Sequence, residues 1–134
     1  MLKPLDLEET KRLKEAVLAD PNNYQSITEN TKLSVCGTNV DGEVVHVNEN
    51  YTKYSGYNRD NILGQHFTIL VPEDQQEKLE ELHDRFFERQ FQMLRFWQTK
   101  HIKGHQVNIQ ADAQLIKLAD GSPHKVMFIQ PEEE

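Results

Sequence analysis

Apolar and polar residues change their spacing several times along the chain, and these changes divide it into helices and strands. Residues 7–19 carry apolar positions at helical spacing, and Asp6 with Glu9 resembles a capping box, so we predict an N-terminal helix there. Pro21 ends this helix because proline cannot continue one. The polar residues 22–31 that follow are predicted to form a loop.

The next two segments have the pattern of a β-hairpin. From Leu33 to Thr38 apolar and small or polar residues alternate, which is the period of a half-buried strand. Asp41-Gly42 is a strong turn signal, because glycine accepts positive φ without a steric cost. Residues 43–47 supply the second strand of the pair.

Helical signals occupy the middle of the chain. Two very short helices are predicted within residues 48–56 and 58–64, because each stretch begins with a capping asparagine and ends with glycine. Pro72 then opens the longest helical pattern, which covers about residues 73–90.

Three strand patterns complete the chain, at residues 93–101, 105–118 and 124–130, with turn signals between them. A strand pair and a strand trio that flank helices can close into one five-stranded antiparallel sheet with helices over one face. We therefore predict an α+β fold with an additional N-terminal helix. Residues 131–134 are expected to form a tail.

Composition and charge narrow the functional class. The chain has 134 residues, which suits one domain, and its net charge of -7 opposes binding to nucleic acid or to an anionic membrane. Cys36 is the single cysteine, so no internal disulfide can form, and this suits a reducing, cytoplasmic location. No apolar run approaches the ~18 residues of a membrane-spanning helix.

The order and spacing of several motifs resemble those of the PAS domain, the sensory and interaction module of many bacterial signalling proteins. The similarity runs from about Val35 to Ile129. The stretches that carry it are the hairpin segment Asn39–Asn48, Tyr51, Gly56-Tyr57, Ile62-Leu63-Gly64 and the approach to the long helix, Ile69–Glu73. Lys103-Gly104 departs from the Asp-Gly that the family often has, at a surface turn.

The resemblance implies a sheet in the order 2-1-5-4-3, helices across one face and a cavity between them. We expect a PAS-like sensor domain over residues 31–130, preceded by the N-terminal helix and a linker in residues 1–30. Tyrosines and other apolar residues of the helices and strands are expected around the cavity: Tyr51, Tyr54, Leu63, Phe67, Leu79, Leu82, His83, Phe86, Leu94, Phe96, Ile109, Ala111 and Phe128. The alternative is that these side chains only fill the core, as small domains require.

The sequence gives little indication of a bound cofactor. The six histidines lack metal-ligand spacing on any predicted helix, so no metal site is expected. His83 is the only histidine on the long helix, and it lies about one turn beyond the position, near residues 77–79, where PAS domains that bind haem carry their ligand. The segment Gly64–Ile69, which corresponds to the reactive-cysteine segment of flavin photosensors, contains no cysteine. The ligand is therefore unknown, and the absence of a cofactor is the leading expectation.

The N-terminal helix has an apolar stripe that needs cover. We expect Leu13 and Val17 to pack with Met93 and Trp97, either within one chain or across a homodimer.

The function expected from the resemblance is a cytoplasmic sensor or interaction domain, not an enzyme. It would transmit a ligand- or partner-dependent change at a dimer interface to an effector domain or a partner signalling protein, as in two-component systems. A structural dimerisation module with a filled core and a haem-based gas or redox sensor are the alternatives.

Overall fold

The computed structural model describes residues 5–89 and 95–131, and only the backbone of residues 95–97. The helices are α1 (Leu7–Ala19), α2 (Tyr24–Thr28), α3 (Glu49–Ser55), α4 (Arg59–Ile62) and α5 (Gln76–Arg89), with short 3₁₀ turns at Pro21–Asn23, Phe67–Leu70 and Glu73–Gln75. The strands are β1 (Ser34–Asn39), β2 (Val44–Val47), β3 (Arg95–Lys100), β4 (Gln106–Lys117) and β5 (Pro123–Pro131). They form one antiparallel sheet in the order β2-β1-β5-β4-β3, so the predicted fold is confirmed.

The N-terminal region contains more helix than its sequence pattern predicts. Helix α1 has the predicted bounds, and the Asp6 side chain accepts a hydrogen bond from the Glu9 backbone N–H at 3.0 Å. The loop predicted for residues 22–31 is wrong, because α2 forms there. Tyr24 and Thr28 are buried on one side of α2 while polar neighbours face solvent, so tertiary burial supplies what the weak local pattern lacks.

Each of the three hairpins closes with a three-residue loop whose last residue is a glycine at positive φ. The closing pairs are Asn39 with Glu43, His101 with His105, and Leu118 with Ser122. A type I turn followed by a left-handed residue gives this geometry, which fixes the register of the strands on both sides. Pro131, expected in the tail, instead pairs with Ile109 as the last residue of β5.

Asn48 joins the helices to the sheet from a fully buried position. Its side-chain oxygen accepts hydrogen bonds from the backbone N–H groups of Val35 and Tyr51, and its amide donates to the carbonyl oxygens of Thr28 and Leu33. One side chain therefore ties α2, the start of β1 and the N-terminus of α3 together. The predicted asparagine cap of the first short helix is confirmed.

Both faces of the sheet are covered, each by a different group of helices. We call the face against α1 and α2 the outer face, and the face against α3, α4 and α5 the inner face. The outer core contains Leu5, Leu13, Val17, Tyr24, Leu33, Val35, Ile116, Val126 and Phe128. The inner core contains Cys36, Val44, Val47, Tyr51, Ile62, Leu70, Ile109, Ala111 and Ile129.

The outer face also buries a small polar network. The Thr28 hydroxyl donates to the Tyr24 carbonyl oxygen at 2.8 Å and lies 3.1 Å from Nε2 of His46, while the Tyr24 hydroxyl lies 3.1 Å from Nδ1 of His124. Burial lowers the pKa of His46 to about 4. Both histidines meet the Tyr24 ring edge to face, so α2 is held to the sheet by polar as well as apolar contacts.

Within residues 5–89 and 95–131, no helix combines the length and the apolar character that crossing a membrane requires.

Candidate functional site

A cavity of about 280 Å³ lies between α5 and the inner face of the sheet. For comparison, an engineered cavity of ~150 Å³ can hold benzene. Its lining is mainly apolar, with a minority of polar and charged residues: Cys36, Thr38, Tyr51, Phe67, Leu70, Val71, Leu79, Leu82, His83, Arg85, Phe86, Arg89, Thr99, Ile109, Asp112, Ala113, Lys125, Met127 and Ile129.

Many of the residues predicted for the cavity lie at its wall. Those that line it are Tyr51, Phe67, Leu79, Leu82, His83, Phe86 and Ile109. Tyr54 and Ala111 belong to the inner core without lining the cavity, and the rings of Tyr51 and Tyr54 meet edge to face with centroids 4.9 Å apart.

Two of the predicted positions are wrong. Leu63 is 42% exposed, because it follows the short helix α4 on its solvent side, whereas Ile62 takes the buried place. Phe128 is fully buried in the outer core, since it pairs across the sheet with Val35, which belongs to the same core. Cross-strand partners share a face of the sheet, so Phe128 points away from the cavity.

For the N-terminal stripe, the structure agrees with the alternative of packing within one chain. Leu13 and Val17 are fully buried within the outer core of their own chain, so they are not available to a second copy. The positions predicted for Met93 and Leu94 lie outside the described residues. Those predicted for the side chains of Phe96 and Trp97 do so as well, although the backbone of Trp97 pairs with Ile109.

His83 connects the cavity wall to the first hairpin. Its Nε2 donates to the carbonyl oxygen of Val40 at 3.1 Å, which fixes the tautomer of the neutral ring. Its ring contacts Phe67 and Phe87 at centroid distances of 5.0 and 4.9 Å. Burial and the nearby charge of Lys125 lower the pKa of His83, so the imidazole is neutral at pH 7.

Several hydroxyl groups on the inner side are buried without a hydrogen bond. Within the described part of the chain, the hydroxyl oxygen of Thr38 has no partner, and those of Thr99 and Tyr54 make no hydrogen bond of good geometry although the two groups interact with each other. Thr38 and Thr99 also line the cavity. A buried hydroxyl without a partner is costly, and such groups usually bind ordered water or a ligand.

Positive charge is concentrated at one end of the cavity. Arg85 and Arg89 line it from the last turns of α5, and the Lys125 ammonium lies 5.0 Å from the centroid of the Phe86 ring. Of the five acidic residues of α5, all of them described, none lines the cavity. Arg85 and Arg89 of α5 therefore border the cavity, whereas Lys78 and the acidic residues of this helix do not. Asp112 of β4 also lines the cavity, and its carboxylate is paired with Lys14 at 2.9 Å.

The residues present do not fit haem or a reactive flavin. Nε2 of His83 is occupied by the Val40 carbonyl, and a four-pyrrole macrocycle is much larger than a cavity about twice the size of one that takes benzene. Cys36 lies on β1, where burial raises its thiol pKa to about 12, so the thiolate needed for covalent chemistry is scarce. The described residues contain no group of three or more metal-ligating side chains.

A family model described as the PAS fold matches residues 22–130. The chain belongs to the PAS domain family. The family match covers α2, the sheet except for its last residue, Pro131, and all the helices around the cavity. No curated protein matches the chain.

Solved PAS domains share the fold at low sequence identity. The PAS domain of an HTR-like protein from Haloarcula marismortui is 15% identical with a TM-score of 0.67, over 92% of this chain and 98% of that one. A PAS domain from a two-component sensor histidine kinase is 9% identical with a TM-score of 0.67, over 85% and 97%. The PAS-B domain of Drosophila melanogaster Cycle with bound ethylene glycol is 12% identical with a TM-score of 0.64, over 73% and 98%.

Sequence reasoning missed the strand residues of the cavity wall. Thr38, Ala113, Lys125 and Met127 were not among the predicted site residues, although all four line the cavity. What these residues share is their place in the strand alternation, in which every second side chain faces the same side of the sheet. Once Ala113 is known to pair with Met127, every second residue of β5 faces the cavity.

Proposed function

We propose that this chain is the sensory module of a cytoplasmic signalling protein and that it acts without catalysis. An occupant of the inner cavity would change the position of α5 relative to the sheet, and this change would reach a partner. The proposal rests chiefly on a cavity that contains a buried hydroxyl group with no partner among the described residues, in a chain of the PAS family.

His83 is the proposed route from the cavity to the surface. It lines the cavity and also donates to the Val40 carbonyl in the first hairpin, so an occupant that shifts His83 must alter that contact. A signal passes only if the occupant binds the two arrangements with different affinity. The similarity to a histidine-kinase PAS domain supports a partner of the two-component type.

The experiment fills the cavity with a side chain instead of a ligand. In Ala113→Leu, we expect altered hydrogen exchange in α5 and in the β1–β2 hairpin as well as at the substituted strand. The same variant with His83→Phe should lose the response of the hairpin, because the bond to Val40 is absent. Changes confined to β4 and its paired strands would contradict the proposal.

Homodimerisation is part of the proposed mechanism, and its interface must lie outside the buried Leu13–Val17 stripe. Light-scattering mass over a range of concentrations tests it. We expect a dimer whose dissociation constant differs between the parent chain and Ala113→Leu. A strict monomer would remove the dimer step and leave partner binding as the output.

A further inference from the structure

The inner cavity is elongated and has chemically different ends. On α5 its lining runs from Leu79 to Arg89, which is about 15 Å at 1.5 Å per residue. On β5 it runs from Lys125 to Ile129, which is about 13 Å at the rise of a strand. A narrow volume of about 280 Å³ extended over this length suits a slender molecule better than a compact one.

The cationic end contains a polar group that is ready to bind an anion. Thr38 is 3% exposed, and its hydroxyl has no partner among the described residues. Its backbone pairs with Lys125 across the β1–β5 ladder, so the two side chains stand on the same face of the sheet. Arg89 and Arg85 line the cavity from the facing helix, and the Arg85 guanidinium also donates to the Glu81 carboxylate at 2.6 Å.

The opposite end has no cation among its described lining residues. Leu70, Val71, Leu79, Ile109 and Ile129 supply an apolar wall there. Thr99, which also lines the cavity, lies on β3 next to Val107 of β4 and well away from Lys125 along the sheet.

We propose that the cavity binds an elongated amphipathic monoanion of the medium-chain carboxylate class. The carboxylate accepts a hydrogen bond from the Thr38 hydroxyl. The positive charges of Lys125 and the two arginines attract it. The alkyl chain lies along α5 toward Leu79. This inference rests on the proposed sensory function and specifies the ligand of the same site.

The test uses three probes of equal chain length with anionic, neutral and cationic head groups: octanoate, octanol and octyltrimethylammonium. Calorimetric titration of the whole chain should rank them in that order of affinity. Within a series from hexanoate to decanoate, affinity should rise by about fourfold per added methylene, the gain for burying one CH₂. Octanol binding as tightly as octanoate would overturn the assignment of an anion.

Two isosteric variants separate the ends of the cavity. Thr38→Val should weaken octanoate about tenfold or more, the usual loss for a hydrogen bond to a charged group, and leave octanol nearly unchanged. Thr99→Val, at the opposite end of the cavity, should not weaken octanoate, because the carboxylate does not contact that end. Equal losses in both variants would contradict the proposed orientation.

Charge variants provide a further control. Lys125→Met should weaken octanoate, whereas Lys78→Met, on the exposed surface of the same helix as the arginines, should not. If none of the three probes binds, the ligand class is wrong. The hydrogen-exchange response to Ala113→Leu does not depend on any probe, so it distinguishes that failure from failure of the sensory function.

Discussion

The two faces of the sheet are packed in different ways. The outer face holds a dense core in which Tyr24, Val126 and Phe128 have almost no exposed surface. Its buried polar groups are paired, as the contacts of Thr28 with Tyr24 and His46 illustrate. The inner face retains a cavity and a buried hydroxyl group with no partner among the described residues. One sheet thus separates a face that stabilises the fold from a face whose packing is incomplete.

This difference gives the N-terminal helices a structural role. By covering the outer face within their own chain, α1 and α2 remove an apolar surface that would otherwise need a partner. The inner face can then be less well packed without unfolding the domain.

Truncating a ring should cost more on the outer face than on the inner one. Phe128→Ala is expected to lower the free energy of unfolding by about 3–5 kcal/mol, because it opens a new void in a filled core. Phe86→Ala should cost less, since Phe86 already borders the cavity. Urea unfolding of both variants measures the difference, and equal losses would contradict the distinction.

Acidification should destabilise the outer face through His46. Its folded pKa of about 4 lies below the ordinary histidine value of 6.5, so the unfolded chain binds more protons between these values. The contribution of His46 to the free energy of unfolding is therefore fully present above pH 6.5. It declines by about 3 kcal/mol as the pH falls toward 4.

The matched variants for this prediction are His46→Gln and His83→Gln. The first should flatten the loss of stability between pH 6.5 and 4, as measured by urea unfolding at several pH values. The second should flatten it less, because the Val40 carbonyl oxygen favours the protonated ring of His83 and opposes the effect of its burial on the pKa. If His46→Gln leaves the pH dependence of stability unchanged, protonation of His46 is not the cause of the loss of stability in acid.

A methyl group added at Gly37 should not be tolerated. Its Cβ would lie 2.7 Å from the hydroxyl oxygen of Tyr24, whose ring is fully packed in the outer core. We expect Gly37→Ala to cost about 1–3 kcal/mol, as overpacking does. Introducing the same change into Tyr24→Phe should cost less. Neutral behaviour of Gly37→Ala would mean that the outer core has unrecognised space.

Replacing threonine by valine should change the free energy of unfolding in opposite directions on the two faces of the sheet. Thr38→Val is expected to raise the free energy of unfolding by about 1 kcal/mol, because it removes a buried hydroxyl that has no partner among the described residues. Thr28→Val should lower it by about 1–3 kcal/mol, since its hydroxyl is bonded. Thermal and urea unfolding check both signs, and destabilisation by both variants would be inconsistent with an unpaired Thr38 hydroxyl.

The sequence pattern was sufficient to predict the fold, but it could not predict which residues of β5 face the cavity. Residues 126–129 are apolar at both parities, because helices cover both sides of the sheet, so alternation cannot assign them. A two-residue turn at Asp120-Gly121 would pair Ala113 with Phe128. The three-residue loop closed by Leu118 and Ser122 instead pairs Ala113 with Met127 and moves Phe128 to the other face.

Other features could not be read from local pattern for a different reason. Helix α2 is five residues long and polar apart from Tyr24 and Ile27, so its stability comes from tertiary contacts rather than from propensity. The cationic end of the cavity joins Arg85 and Arg89 to Lys125, which lies 36 residues beyond Arg89 in the sequence. Only the register of the sheet and the position of α5 bring these residues together.

Adding side-chain volume to each face of the sheet shows directly whether the inner face is less fully packed than the outer one. Ala113→Leu places three extra carbon atoms at the cavity, and Val35→Leu places one extra carbon in the filled outer core. We predict that the first raises the free energy of unfolding by about 1–2 kcal/mol and that the second lowers it by about 1–3 kcal/mol. If both variants are destabilised to the same extent, the inner face is as fully packed as the outer one and the account is wrong.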